Sequence, residues 1–264
     1  MPRSPEGSRR PGSAALAAWG ERLLAVAAWL VAWELLARAL NAPIVLVGPL
    51  EVLSRLGRLA LTGEFWASVG VSLGRVLAGL VAGVALGVLL ASAASVSRPV
   101  RALVSPVVGA MKAVPVASFV ILVLMWVPSR DLSVVISLVM AFPIVYTNVL
   151  EGIRQTDSRL LEMASVFGLS AWDRVRLVYL GEVLPYLRAA VSLALGLSWK
   201  AGIAAEVIGL PSLTVGEHLY DAKVYLDTSG LLAWTVAIVC VSVALEALVG
   251  RALDVALARW EARP

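Results

Sequence analysis

Charge is what this chain lacks most. Of its 264 residues only 15% are charged and 60% are hydrophobic, where a soluble domain carries roughly 25% charged residues. The deficit is concentrated in apolar runs long enough to cross a bilayer, which takes about 20 residues. A soluble globular fold is therefore excluded. Cysteine and histidine are almost missing as well. The single cysteine, Cys240, excludes an intrachain disulfide, and the single histidine, His218, argues against a metal site built from histidines; no metal is expected. A G-x-x-x-x-G-K-[ST] phosphate loop is also absent, so ATP chemistry is not expected in this chain. The formal net charge of +4 comes with no pattern that points to nucleic acid.

What remains is an all-α membrane protein of about six transmembrane helices. The apolar runs lie at about 23–40, 67–91, 102–127, 132–150, 187–209 and 231–250. Runs this hydrophobic must be helices, because lipid offers no partner to open backbone groups. Residues 1–20, which open with MPRSPEGSRRPGS, read as a disordered, basic, cytoplasmic N-terminus. Residues 21–260 read as a single transmembrane domain with one long polar loop at 151–187. Pro115 is expected to kink or interrupt the third span.

Basic residues set the orientation. If the N-terminus is cytoplasmic, 14 arginines fall in inside segments, against four arginines and Lys223 outside. Both termini and the 151–187 loop are therefore expected in the cytoplasm of a multi-pass protein of the inner (plasma) membrane.

Within the spans, Gly70 and Gly74 share one helix face, and Gly79, Gly83 and Gly87 share another. Small residues allow close helix approach, either within one subunit or at a subunit interface. Lys112, Lys200 and Glu206, with Trp199 beside Lys200, are candidates for a translocation pathway, because ionisable groups at membrane depth are costly and face a cavity or a partner. Structural pairing or snorkelling is the other reading of the two lysines. Glu206, near the end of its span, could also sit at the interface.

The 151–187 loop has its own order. Asp157 or Thr156 can cap a first short helix through Leu160, Leu161, Ala164 and Phe167. Gly168 is placed to end it in the left-handed conformation. Ser170 can cap a second helix, with Asp173 three residues on. Leu184-Pro185 is expected to mark the turn into the fifth span. A small-residue patch is expected at Ala164 and Ser165.

The run Glu162-Met163-Ala164, three residues, Gly168, and later Leu184-Pro185 resembles the EAA loop of importer-type ABC transporter permeases. Met163 replaces the family's first alanine, Val178 occupies its apolar site, and Leu180-Gly181 stands where a first Leu-Pro is expected. The wider chain, about 45–250, resembles the nitrate/sulfonate/taurine-type permeases. It does so through Val47-Gly48-Pro49, Ser72-Leu73-Gly74-Arg75-Val76, Lys112-Ala113-Val114-Pro115, Phe142-Pro143-Ile144 and Leu197-Ser198-Trp199-Lys200 with Ala205-Glu206-Val207.

The resemblance implies a type I ABC importer permease fold. It implies that Glu162, Met163, Ala164, Gly168, Leu184 and Pro185 couple the chain to a separate ATPase subunit, which binds the ATP. Further implied partners are an extracytoplasmic solute-binding protein and a second permease copy, as a homodimer in lipid. The implied cargo is a nitrate-, sulfonate- or taurine-like anion or a vitamin precursor. The chain itself is then no enzyme and needs no cofactor. An ATP-independent channel or secondary transporter is the rival reading. An intramembrane hydrolase built on His218 and Asp221 is a weaker one, since no motif sets a serine beside that histidine.

Overall fold

A computed structural model describes residues 11–261. The described chain is helical throughout. Helix α1 spans Pro11–Leu40, α2 Pro49–Ala60, α3 Gly63–Val96, α4 Arg98–Ala113, α5 Val116–Leu124 and α6 Ser129–Arg154. Then come α7 Ser158–Val166, α8 Ala171–Arg174, a π-helical turn at Val175–Tyr179, α9 Leu180–Gly209, α10 Val215–Val224 and α11 Thr228–Glu261. Five helices are long and apolar enough to cross a membrane, or six spans if α4 and α5 count as one broken span. These are the six apolar runs. Residues 11–20, part of the segment expected to be disordered, are described as helical and continuous with the rest of α1. Residues 1–10 of that expectation lie outside the described residues.

Helices α3, α6 and α9 form the packed centre, with α6 between the other two. Small residues make this possible. A Cβ on Gly79 would overlap the Val134 carbonyl and lie 2.7 Å from Ser137 Cβ. At Gly83 and Gly87 it would lie 2.7 Å from Ala141 Cβ and 2.8 Å from Val145 Cβ. At the same Ser137, Ser198 Oγ of α9 donates to its carbonyl at 3.0 Å, and Ser137 Oγ returns a bond to the Ser198 carbonyl at 3.3 Å. Such bonds satisfy hydroxyls inside a helix pair that water does not reach. The two glycine faces of α3 thus have different fates. Gly79, Gly83 and Gly87 pack within the chain, whereas Gly70 and Gly74 have open space beside them.

The third span breaks at Val114-Pro115, where α4 and α5 meet at a bend of 108°. Pro115 supplies the N-cap of α5. The short α5 then lays Val120 and Val123 against Leu132 and Ile136 of α6 and Ala201 and Ala205 of α9. At one end of the bundle α2 packs Val52 beside Ala233 of α11. Arg55 of α2 donates to Asp227 at 2.9 Å, just before α11 begins. Burial alone would raise the pKa of Asp227. Bonds from Gly230 N, Ser229 Oγ and Arg55 outweigh that and hold it below the usual carboxylate value.

Helix α1 stands at the edge. None of its 18-residue apolar window is buried, and it is tied to the α1–α2 turn by Trp33 Nε1 donating to the Val47 carbonyl at 3.0 Å.

A second expectation is not met. Leu184-Pro185 makes no turn, because the helix runs on from Ala171 through the π-turn into α9. A proline costs a helix one hydrogen bond and a local adjustment. Here both sides are anchored, by buried Val178 before it and by buried Ala190 and Val191 after it.

Candidate functional site

The loop between α6 and α9 is built from local signals. Asp157 caps α7 by accepting from Arg159 N at 2.8 Å. At the other end Gly168 takes φ +66°. Leu169 N then reaches the Ala164 carbonyl at 3.0 Å and Gly168 N the Ser165 carbonyl at 3.1 Å. This pair of bonds is the Schellman ending, and it needs the left-handed residue that glycine supplies. Ser170 caps α8 by accepting from Asp173 N at 3.2 Å, and its hydroxyl returns a bond to Asp173 Oδ2 at 2.6 Å. Arg174 Nε closes the loop on the Leu169 carbonyl at 3.1 Å.

The surface this makes is apolar. Phe167 is 76% exposed and Trp172 72%, and Met163 and Val166 are also exposed. Glu162 lies exposed on the same helix. The expected patch at Ala164 and Ser165 is only half there. Ala164 is buried, because its side of α7 turns inward, and Ser165 alone is exposed. Leu184 and Pro185 sit apart from this surface, on the first turns of α9. Leu184 lines an apolar groove with Val88, Val149 and Ile153.

The four candidates in the spans separate into two pairs. Lys112 is exposed beside the α4–α5 break and donates to Thr147 Oγ1 at 2.8 Å. Lys200 is exposed, with no hydrogen bond or ion pair among the described residues. It lies on an uncovered stripe of α9 with Leu193, Leu197, Ala204 and Ile208, spaced along one helix face.

Trp199 and Glu206 point the other way. Trp199 is 1% exposed, and its Nε1 donates to the Ile238 carbonyl at 3.2 Å, which packs α9 on α11. Glu206 is fully buried rather than at an interface. Ser72 Oγ donates to its Oε2 at 2.7 Å, and Gly216 N at 3.4 Å. The carboxylate thus meets the N-terminus of α10, where a negative charge is favoured. Gly216 is required for this approach: a Cβ there would overlap Glu206 Cβ and lie 2.6 Å from its backbone carbon. No sequence signal pairs Ser72 with Glu206, which is 134 positions away.

The structure does set a serine beside the histidine. His218 Nε2 lies 2.9 Å from Ser68 Oγ. That serine is fully buried, and the imidazole stacks on Trp234 at 4.6 Å and 4°. His218 itself is half-buried and lines an open cavity of about 240 Å³ with Phe65, Asp221 and Trp234, while the Ser68 hydroxyl lies behind it in the packed interior.

Residues 83–260 match the family described as binding-protein-dependent transport system inner membrane component. The putative aliphatic sulfonates transport permease protein of Escherichia coli (strain K12) is 32% identical over 213 residues, covering 80% of this chain and 77% of that protein. Its namesake from Bacillus subtilis (strain 168) is 26% identical over 244 residues, covering 92% and 88%. The taurine transport system permease protein of Escherichia coli (strain K12) is 26% identical over 234 residues, covering 86% and 84%.

Proposed function

The chain belongs to the family of inner membrane components of binding-protein-dependent transport systems, and from that premise we propose that it is the translocating subunit of an ATP-driven importer. Two copies would form the pathway. A separate ATPase subunit would bind and hydrolyse ATP, and an extracytoplasmic binding protein would deliver the solute. The α7–Gly168–α8 loop is the observation that carries this reading. A short, fully capped segment that exposes Met163, Phe167 and Trp172 has the character of a docking surface, since contiguous exposed apolar side chains are rare on a surface that faces only water. Glu162 and Gly168 are the coupling residues in this reading. Leu184 and Pro185 belong to the junction that joins the loop to α9.

The ATPase must then reach the loop from the cytoplasm, with both termini on the same side. Single cysteines at Ser158 and Lys223, in a background where Cys240 is replaced, test this with an impermeant thiol reagent. Residue 223 should label in intact cells, and residue 158 only after permeabilisation. Labelling of residue 158 from outside would overturn the topology. Co-purification of an ATPase with the wild-type chain, and its loss in Glu162→Lys, tests the coupling assignment.

The cargo in this reading is a small anion, as the sulfonate and taurine names of the relatives suggest. Lys200 supports it, as a lysine with no partner among the described residues on an uncovered face of a span. An unpaired lysine at membrane depth is costly, and an anionic substrate or water would offset that cost. Lys200→Met keeps the length and removes the charge. A lost charge-assisted contact is worth about 1.5–3 kcal/mol, so solute-stimulated transport should fall roughly tenfold or more while basal ATPase activity survives. Unchanged transport kinetics would assign Lys200 to structure.

A further inference from the structure

Beside the α9–α10 turn lies a buried polar cluster that the transport reading does not use. Glu206 on α9 and Ser133 on α6 are both fully buried. Glu206 Oε2 is satisfied by Ser72 and Gly216. Its other oxygen, Oε1, has no hydrogen-bond partner among the described residues, and neither has Ser133 Oγ, which lies close to the carboxylate. On α3 the buried Nη1 of Arg75 also has no hydrogen-bond partner among the described residues. Arg75 is near enough to act on the carboxylate electrostatically, yet no direct ion pair joins the two among the described residues.

Buried polar groups without partners carry their full desolvation penalty. Two such atoms, Ser133 Oγ and Arg75 Nη1, accompany the carboxylate's own unpartnered Oε1. A second anion is excluded by Glu206, and a metal cation is opposed by Arg75. A water molecule fits the set. It can accept from Arg75 Nη1, donate to Glu206 Oε1 and bond Ser133 Oγ, and about three partners is usual for a buried water. We propose that Arg75, Ser133 and Glu206 bind one water molecule between them, and that this water-bridged charge pair latches α10 onto the packed spans. Helix α10 needs such a hold. The turn that leads to it puts Leu210 at φ +51° and Leu213 at φ +59°. Bulky residues persist in that region only where surrounding structure imposes it. Two hydrogen bonds fasten its first turn, Val215 N to Ser72 Oγ at 3.0 Å and Gly216 N to Glu206, and both pass through this cluster.

The latch concerns the docking of one helix, so its test is independent of transport. The reporter is Ala222→Cys on α10, a position 8% exposed, with Cys240→Ser behind it. The readout is the rate of thiol labelling in permeabilised membranes. Arg75→Met leaves the carboxylate without its counter-charge, and labelling should rise about tenfold or more. Adding Glu206→Gln to Arg75→Met removes the stranded charge and should return labelling close to that of the reporter alone. Ser133→Ala removes one hydroxyl from the water and should raise labelling by a smaller factor. It also reads the same site if Arg75→Met fails to reach the membrane. Unchanged labelling in Arg75→Met, or a double variant worse than either single one, would overturn the charge pair. Labelling unaffected by Ser133→Ala would overturn the three-sided water site.

Discussion

Gly168→Val should abolish uptake while the protein still inserts in the membrane. Nothing lies within 4 Å of a Cβ added at Gly168, so the effect owes nothing to a clash. It comes from the backbone. Gly168 holds φ +66°, which costs an ordinary residue about 1–2 kcal/mol and a β-branched one more. A membrane domain with a core of three packed spans tolerates such a loss. The loop does not, because the two bonds of the helix ending, from Gly168 N and Leu169 N, depend on that one conformation. Once they are lost, α7 is re-aimed relative to α8, and the surface of Met163, Phe167 and Trp172 is no longer presented as a unit. Gly168→Asn should retain part of the uptake, since asparagine visits the left-handed region more readily than valine. The comparison is made as ATPase co-purification and solute uptake at equal membrane levels. Normal uptake by Gly168→Val would remove the loop from the coupling role.

A second large effect is expected on stability. Gly79→Ala adds one methyl group to the tightest point between α3 and α6. There the Val134 carbonyl and Ser137 Cβ, at 2.7 Å, leave no room, and one obstacle is backbone. Overpacking of this kind typically costs about 1–3 kcal/mol and more where backbone must move. The helices must part, and the bonds that the same Ser137 makes to Ser198 of α9 are then strained in turn. Yield and thermal midpoint in detergent should both drop sharply. Gly74→Ala is the matched control on the same helix. Its Cβ meets open space, and alanine is favoured over glycine in a helix by about 1 kcal/mol, so the isolated chain should be unharmed. Equal stability of the two variants would refute the packing account of α3 and α6.

Much of this architecture is readable in the residues themselves. The six spans follow from apolar length, and the break of the third follows from Pro115, which cannot donate a backbone hydrogen bond. Asp157, Gly168 and Ser170 act within a few residues of their own positions, so their roles as cap, left-handed stop and second cap are visible in the order of amino acids. Leu184-Pro185 misleads for the complementary reason. A proline states a local cost, and whether the helix breaks there depends on what its two sides bury.

The candidate site divides along the same line. Lys112, Trp199, Lys200 and Glu206 look alike in sequence, as large or charged residues in apolar spans. Only the packing separates a lysine on an uncovered helix face from a tryptophan bonded to Ile238 and a carboxylate bonded to Ser72. The same holds for Ser68 beside His218, and for the two glycine faces of α3, one filled by α6 and the other open. Sequence by itself determined the all-helical membrane class, the span positions, the capped loop and the family. The tertiary structure alone decided which polar groups face each other. Hydropathy and capping act through neighbours along the chain, whereas a buried carboxylate is satisfied by atoms that only the packing of distant helices brings within about 3 Å.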